Sequence, residues 1–415
     1  MDVSHIRSQF PALAIRDQGR PRVYLDNPGG TQVAQQVIDR TVSYLTRTNA
    51  NGGGAFVTSV ESDALLDEAH AAMADLLGAA SPNEIVFGQN MTTLTFHMSR
   101  TLGQQFEAGQ EIIVTRMDHD ANVSPWLLLA RDLGMTIRWM PFDTTTFRYD
   151  LDAFQELLSE KTALVALNYA SNALGTINPV AKMCAMAREA GALTYVDAVQ
   201  YVPHAPTDVQ ALGCDFLACS AYKFFGPHQG ILWGRESLLA SLPPYKVRPA
   251  DEALPIRHET GTLSHEGMAG TLGAVEYLAS LGTGATRREQ LISAMSAFAD
   301  YEQTLCRRLI DGLKSIDGVT VYGLTGEGEM HERVPTVIID IEGVSARTAA
   351  EHLAAENIFV WDGDYYAMEV INSLGFGDRG GLLRIGLAHY NTAQEVDLVC
   401  SAVAALSSEP AFSAR

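Results

Sequence analysis

TYVDAVQYVPHAPTDVQALGCDFLACSAYKFFGPHQGILWG, residues 194–234, contains three short apolar runs rich in β-branched and aromatic residues. With the preceding residue included, LTYVDAV, DFLACSAYK and GILWG read as strands. From Ala211 to Gly234 the only charges are Asp215 and Lys223, and Lys223 has Tyr222, Phe224 and Phe225 as neighbours. An ammonium in such surroundings is either a surface group or a functional amine. Burial would lower its pKa and favour the neutral, nucleophilic form.

The same alternation extends N-terminally. EIVFG, EIIV, TIRWM and ALVALN read as further strands, and AMAREAGA and ANVSPWLLLARDLGM have helical spacing. Strands alternating with helices over residues 84–234 predict an α/β fold, a mostly parallel sheet covered by helices on both faces. Ligands of such sheets bind beyond the carboxyl ends of the strands. There the sequence places Asn90 to Thr92, His119, Asn172, Asp197 and Lys223.

After about residue 283 the pattern changes. A long helical stretch from Arg287 to Ile316 precedes the strands VTVYG, VPTVIIDIEG, IFVWDG and LLRIGL, with helices SARTAAEHLAAEN and AQEVDLVCSAVAAL between and after them. The expected division is a large domain over residues 20–280 and a smaller C-terminal α/β domain of residues 281–415 joined by residues 1–19.

Composition narrows the functional classes. With 415 residues, 47% of them hydrophobic and 19% charged, the chain has the make-up of a globular protein of two units. A net charge of −20 argues against nucleic acid or an anionic membrane as partner. No apolar run approaches a membrane span, and the start MDVSHIRSQFPALAIRDQGR lacks a basic region followed by an apolar one, so a cytoplasmic protein is expected. The five cysteines, 184, 214, 219, 306 and 400, form no metal-like cluster and read as reduced, buried thiols.

There are five lysines, 161, 182, 223, 246 and 314, and all except Lys223 read as solvated surface residues. Asp197 lies at the end of an apolar strand, where a carboxylate needs a positive partner or serves as a helix cap. An amine that can form a Schiff base and an aspartate that can hold a protonated pyridine nitrogen are the minimal pair for pyridoxal 5′-phosphate.

From YLDNPGG at residue 24 to LLRIGLAHYNT ending at 392, the chain resembles the class V, fold-type I aminotransferase-like enzymes, most closely the cysteine desulfurases. The resemblance implies pyridoxal 5′-phosphate as cofactor, bound to Lys223, with Asp197 at the pyridine nitrogen and Gln200 at the ring hydroxyl oxygen. It implies that His119, in RMDHDANVSPW, lies over the ring and takes part in proton transfer. Asn90, Met91 and Thr92, in FGQNMTT, would form the phosphate turn at a helix start, with Ser220 adding a hydroxyl. Thr262, in ETGTLS, would reach the phosphate of a neighbouring subunit, which implies a homodimer. Asn172, in YASNALGTINP, would face the substrate, and Arg384, in LLRIGL, would grip its α-carboxylate. Taken alone, Arg384 also reads as an edge-strand residue pointing to water.

The chain departs from the desulfurase pattern in its loop before the arginine strand. VWDGDYYAMEVINSLGFGDRGG contains no cysteine, and Tyr366 or a neighbour stands where the nucleophilic thiol is expected. The histidine before the family's lysine is Tyr222 here, and NANGGGAF has no histidine. Gly52 to Gly54 would either let backbone approach the substrate or form a flexible loop. The expected reaction is cleavage of a C–S or C–Se bond of a small amino acid by β-elimination, without a protein persulfide. Tyr365 and Tyr366 would shape the pocket or protonate the leaving group. Transamination and epimerisation are alternatives, and a non-catalytic cofactor-binding scaffold is a fourth.

Overall fold

The computed structural model describes residues 1–408. Its main sheet has seven strands: β1 (Ile85–Gly88), β2 (Glu111–Thr115), β3 (Thr136–Met140), β4 (Thr162–Asn168), β5 (Leu193–Asp197), β6 (Phe216–Ser220) and β7 (Gly230–Gly234). Their order is β1-β7-β6-β5-β4-β2-β3, and only β7 runs antiparallel to its neighbours.

Alternation along these strands sends side chains into two separate cores. Ile85, Phe87, Val165, Leu167, Val196 and Leu217 enter one, while Val86, Leu164, Ala166, Tyr195, Phe216 and Leu232 enter the other. Every residue of β4 is buried, as expected of a strand covered on both faces. Helices α1 (Gln35–Ser43), α2 (Val57–Leu77), α3 (Met91–Gly103), α4 (Ser124–Leu133), α5 (Val180–Glu189) and α6 (His265–Ser280) pack around this sheet. The fold is therefore α/β, as the strand and helix spacing predicts.

The long helix α7 spans Arg287–Lys314 and starts with a capping box: Thr286 Oγ1 accepts the Glu289 N–H, and Glu289 Oε2 accepts the Thr286 N–H. It packs, with α9 (Ala393–Ser407), on a second sheet of β8 (Val319–Tyr322), β9 (Thr336–Ile341), β10 (Trp361–Gly363) and β11 (Leu382–Gly386). That sheet has the order β8-β9-β11-β10 and is antiparallel throughout. Helix α8 (Ala346–Ala355) also packs on its core.

The stretch IFVWDG, expected as one strand, divides in two. Ile358–Phe359 pairs in parallel with Val23–Tyr24, and only Trp361–Gly363 joins the second sheet. The N-terminal residues Ile6, Phe10 and Leu13 pack in the core that contains Phe225 and Tyr277, whereas Val23 and Leu25 pack in the core of the second sheet. Among the described residues no helix is long and apolar enough to cross a membrane.

Candidate active site

The carboxyl ends of β5, β6, β4 and β2, the start of α3 and the loop after β10 enclose a cavity of about 720 Å³, of small-molecule size. Of the sequence-predicted site residues, Asn90, Met91, Thr92, His119, Asn172, Asp197, Gln200, Ser220, Tyr222, Lys223, Tyr366 and Arg384 all line it. Thr262 does not. It is exposed and lines a separate depression with His97, Gln229 and His258.

Lys223 follows β6 in a short 3-10 turn, almost wholly buried. Its Nζ donates to the carbonyls of Pro28 and Gly29 and lies 4.7 Å from the Tyr222 ring centroid. Burial, with the nearby Arg384 guanidinium, depresses its pKa to about 7, against the weaker pull of Asp26 and Asp197. A substantial fraction of the amine is thus neutral near pH 7. Lys246, expected as a solvated surface residue, instead donates to the Ala250 carbonyl and pairs with Glu252 at 2.8 Å, its side chain largely covered.

Asp197 ends β5, and its Oδ1 accepts the Val199 N–H at 2.9 Å. Burial raises its pKa to about 6. Behind it lies Asp118, which accepts from the Thr115 hydroxyl and the Asn122 amide. Burial and the charge of Asp197 push the Asp118 carboxyl well above the usual carboxylate range, against the hydrogen bonds from Thr115 and Asn122.

His119 is half-buried, and its Nδ1 accepts the Ala121 N–H at 3.0 Å, which places the ring proton on Nε2. Burial, aided by Lys223 and Arg384, lowers its pKa to about 4, so the ring is neutral. Tyr366 stacks on it with centroids 5.4 Å apart, and the Tyr366 carbonyl accepts the Asp120 N–H at 2.7 Å. Tyr365 and Tyr366 both hold left-handed backbone, φ 55° and 58°. Two such residues in succession, neither of them glycine, store strain of the kind found in functional loops.

At the start of α3, Asn90 caps the helix by accepting the Thr93 N–H, and the Met91 N–H donates to Ser220 Oγ at 3.2 Å. Gly230 of β7 passes so close that a Cβ there would lie 2.4 Å from the Asn90 carbonyl carbon. Opposite, Arg384 of β11 is buried: Nη1 donates to the Asn172 carbonyl at 3.2 Å and Nη2 to Asp26 at 2.9 Å, with the guanidinium over the Tyr365 ring. The alternative of an arginine pointing to water is therefore excluded.

These groups fit pyridoxal 5′-phosphate. Arg384 Nε and Asn172 Oδ1 are buried without partners. Asp197 is a buried carboxylate with no cationic side chain bonded to it among the described residues, a match for a pyridinium N–H. At the start of α3, where Asn90 and Ser220 already hold the Thr93 and Met91 N–H groups, the Thr92 N–H and hydroxyl and the positive end of the helix dipole favour a dianion.

Sequence reasoning missed Asp26 and Asn168, which line the cavity, the latter at the end of β4, and Asp118 beside them. Asp26 lies within the quoted YLDNPGG, yet only the fold brings it to Arg384. Asp118 stands beside His119, and nothing in one sequence tells which of two adjacent polar residues faces inward. Gly52 to Gly54 do not line the cavity: Gly53 N–H donates to Asp63 and Gly54 N–H to Ser59, tying the turn to α2. None of the five cysteines lines it either.

The sequence profile of the aminotransferase class-V family matches residues 23–399. Among curated proteins, an aminotransferase-like protein, FGM3, of Gibberella zeae is 35% identical over 97% of each chain. A cysteine desulfurase of Yersinia pestis is 32% identical over 95% of this chain and 96% of its own. The solved cysteine desulfurase of Thermococcus onnurineus superposes with a TM-score of 0.87 at 25% identity, covering 97% of this chain and 98% of that one. With this agreement along nearly its whole length, the chain belongs to the aminotransferase class-V family and is a pyridoxal 5′-phosphate-dependent enzyme of the fold-type I architecture.

Proposed function

We propose that the enzyme cleaves the Cβ–S or Cβ–Se bond of a small α-amino acid by β-elimination, with the cofactor held on Lys223 and no protein persulfide. The single observation that carries this reading is the loop after β10. It brings Tyr365 and Tyr366 to a cavity otherwise suited to the family's cofactor, and no cysteine lines that cavity. Bound pyridoxal 5′-phosphate supplies an electron sink that stabilises negative charge at the substrate α-carbon.

The chain's own groups divide the remaining work. Arg384 takes the substrate carboxylate through Nε and an Nη. Asp197 keeps the pyridine nitrogen protonated, and Met91, Thr92 and Ser220 hold the phosphate. Lys223 Nζ, freed when the substrate's amino nitrogen takes its place on the aldehyde carbon, would receive the α-proton, the bond to sulfur would break with its electron pair leaving on sulfur, and the Tyr366 hydroxyl would protonate that leaving group. The released enamine takes up water to give a keto acid and ammonia. His119, neutral and with its proton on Nε2, would lie against the cofactor ring and could take part in proton transfer.

A homodimer completes the site in this reading. Thr262 does not line the cavity of its own chain, and α1, α2 and the stretch between them expose Val42, Leu45, Phe56, Val57 and Val60. Transamination is the second reading, supported by the aminotransferase-like relative of Gibberella zeae.

A panel of amino acids added to the cofactor-loaded enzyme separates the two. Elimination releases sulfide or selenide with a keto acid and ammonia in equal amounts. Transamination gives a keto acid that keeps the substrate's β-substituent and leaves the amino group on the cofactor. A racemised substrate with neither product would instead indicate epimerisation, and no response to any amino acid would indicate a scaffold.

A further inference from the structure

Behind Gln200 lies a buried pair that the proposed chemistry does not use. Gln200 Nε2 is 3.4 Å from His204 Nε2 and 3.2 Å from Thr336 Oγ1. On the far side of the imidazole, His204 Nδ1 is 2.8 Å from Glu302 Oε2 of α7. The His204 and Glu302 side chains are 5% and 1% exposed, and Glu302 Oε1 has no partner. The adjacent His389, bonded to the Tyr277 hydroxyl at 2.6 Å, is kept neutral by burial, and Arg333 is committed to the carbonyls of Leu174, Leu324 and Thr336.

The two ends of a glutamine amide fill the same space, so its partners decide which end faces the cavity. Two proton arrangements are open. If Glu302 is ionised and His204 neutral with its proton on Nδ1, Nε2 is an acceptor. It then takes the Gln200 NH₂, turns the amide oxygen to the cavity, and leaves a net negative charge in the core. If the pair holds one proton more, it is neutral overall and Nε2 donates to the Gln200 oxygen. The NH₂ then faces the cavity, and the Thr336 hydroxyl can rotate to suit. Burial disfavours the charged arrangement. A negatively charged ring oxygen on the cofactor calls for a donor, which only the neutral arrangement supplies.

We propose that His204 and Glu302 are positioning residues whose shared protons hold the Gln200 amide with its NH₂ towards the cofactor's ring oxygen. This rests on the cofactor reading above, with Gln200 at that oxygen. The fold brings together a residue after β5 and one from the middle of α7 to control a single hydrogen bond.

The test is a pH titration of the visible band of the enzyme loaded with pyridoxal 5′-phosphate. Gln200→Leu removes the donor and should raise the midpoint by about one pH unit, the effect of one hydrogen bond to a charged group. The double variant His204→Phe/Glu302→Leu replaces both buried partners with apolar groups of similar size, a change that folds commonly tolerate. It should raise the midpoint in the same direction by at least half as much, and adding Gln200→Leu to it should give little more. An unmoved midpoint in the double variant, with Gln200→Leu shifted, overturns the positioning role alone. If Gln200→Leu itself leaves the midpoint in place, Gln200 does not touch the ring oxygen and the proposal falls with that assignment. Failure of the wild-type protein to take up cofactor removes the underlying reading instead. Nitrogen-labelled histidine in the wild-type holoenzyme gives a second readout that needs no core variant: His204 Nε2 should carry a proton, and an unprotonated Nε2 overturns the proposal.

Discussion

Lys223 is the residue on which the chemistry turns, and its environment makes a kinetic prediction. Only the neutral amine attacks an aldehyde, and burial brings its pKa to about 7. The sign is that of a depressed lysine: protonated and unreactive below that value, neutral above it. The rate of cofactor uptake by cofactor-free protein should therefore rise about tenfold per pH unit below pH 7 and level off above it. Stopped-flow absorbance measures this, and a flat profile from below to above pH 7 contradicts the assignment. Arg384 makes a separate prediction. Replacing it with Gln removes charge-assisted hydrogen bonds worth about 1.5–3 kcal/mol, so KM for an amino acid should rise about 10- to 100-fold with a smaller change in kcat. Lys223 was legible in sequence because lysines are few and this one lies in an apolar run. Asp26 and Asp118 were not, since their roles come from partners far apart in the chain or from side-chain direction.

At the scale of elements, the approach of β7 to the start of α3 sets the phosphate corner. A methyl group at Gly230 would meet the Asn90 backbone, which cannot give way as a flexible side chain could. Gly230→Ala should cost about 1–3 kcal/mol of stability through overpacking, and it should weaken pyridoxal 5′-phosphate binding as the turn is displaced. Thermal unfolding and a cofactor titration check the two effects, and unchanged affinity would mean that the turn does not hold the phosphate. The main-sheet strands were readable because most carry an apolar run with turn residues around it, β3 at the sheet edge being the half-exposed exception. IFVWDG was misread as one strand because an unbroken apolar run does not disclose the point at which the chain leaves one partner for another. Only the pairing of Ile358 and Phe359 with Val23 and Tyr24 reveals it.

At the scale of the whole molecule, α/β class followed from alternation alone, and the position of the cavity followed from the rule that such sheets bind ligands at their carboxyl edges. What no single-chain pattern contains is the relation between copies. The exposed apolar residues of α1 and α2, together with the absence of Thr262 from the lining of its own cavity, lead to the expectation of a particle of twice the 44.9 kDa chain mass in light scattering after size exclusion. Replacing Val57 and Val60 with Glu should shift it towards monomer and lower cofactor affinity together. A wild-type monomer with full cofactor affinity contradicts the shared site.

The most direct measurement fixes the cofactor in place. Borohydride reduction of the loaded enzyme, followed by peptide mass spectrometry, traps whichever amine holds the aldehyde carbon. The structure predicts a single pyridoxyl group, on Lys223. Labelling of Lys161, Lys182, Lys246 or Lys314 in its place, or of no lysine at all, would contradict it.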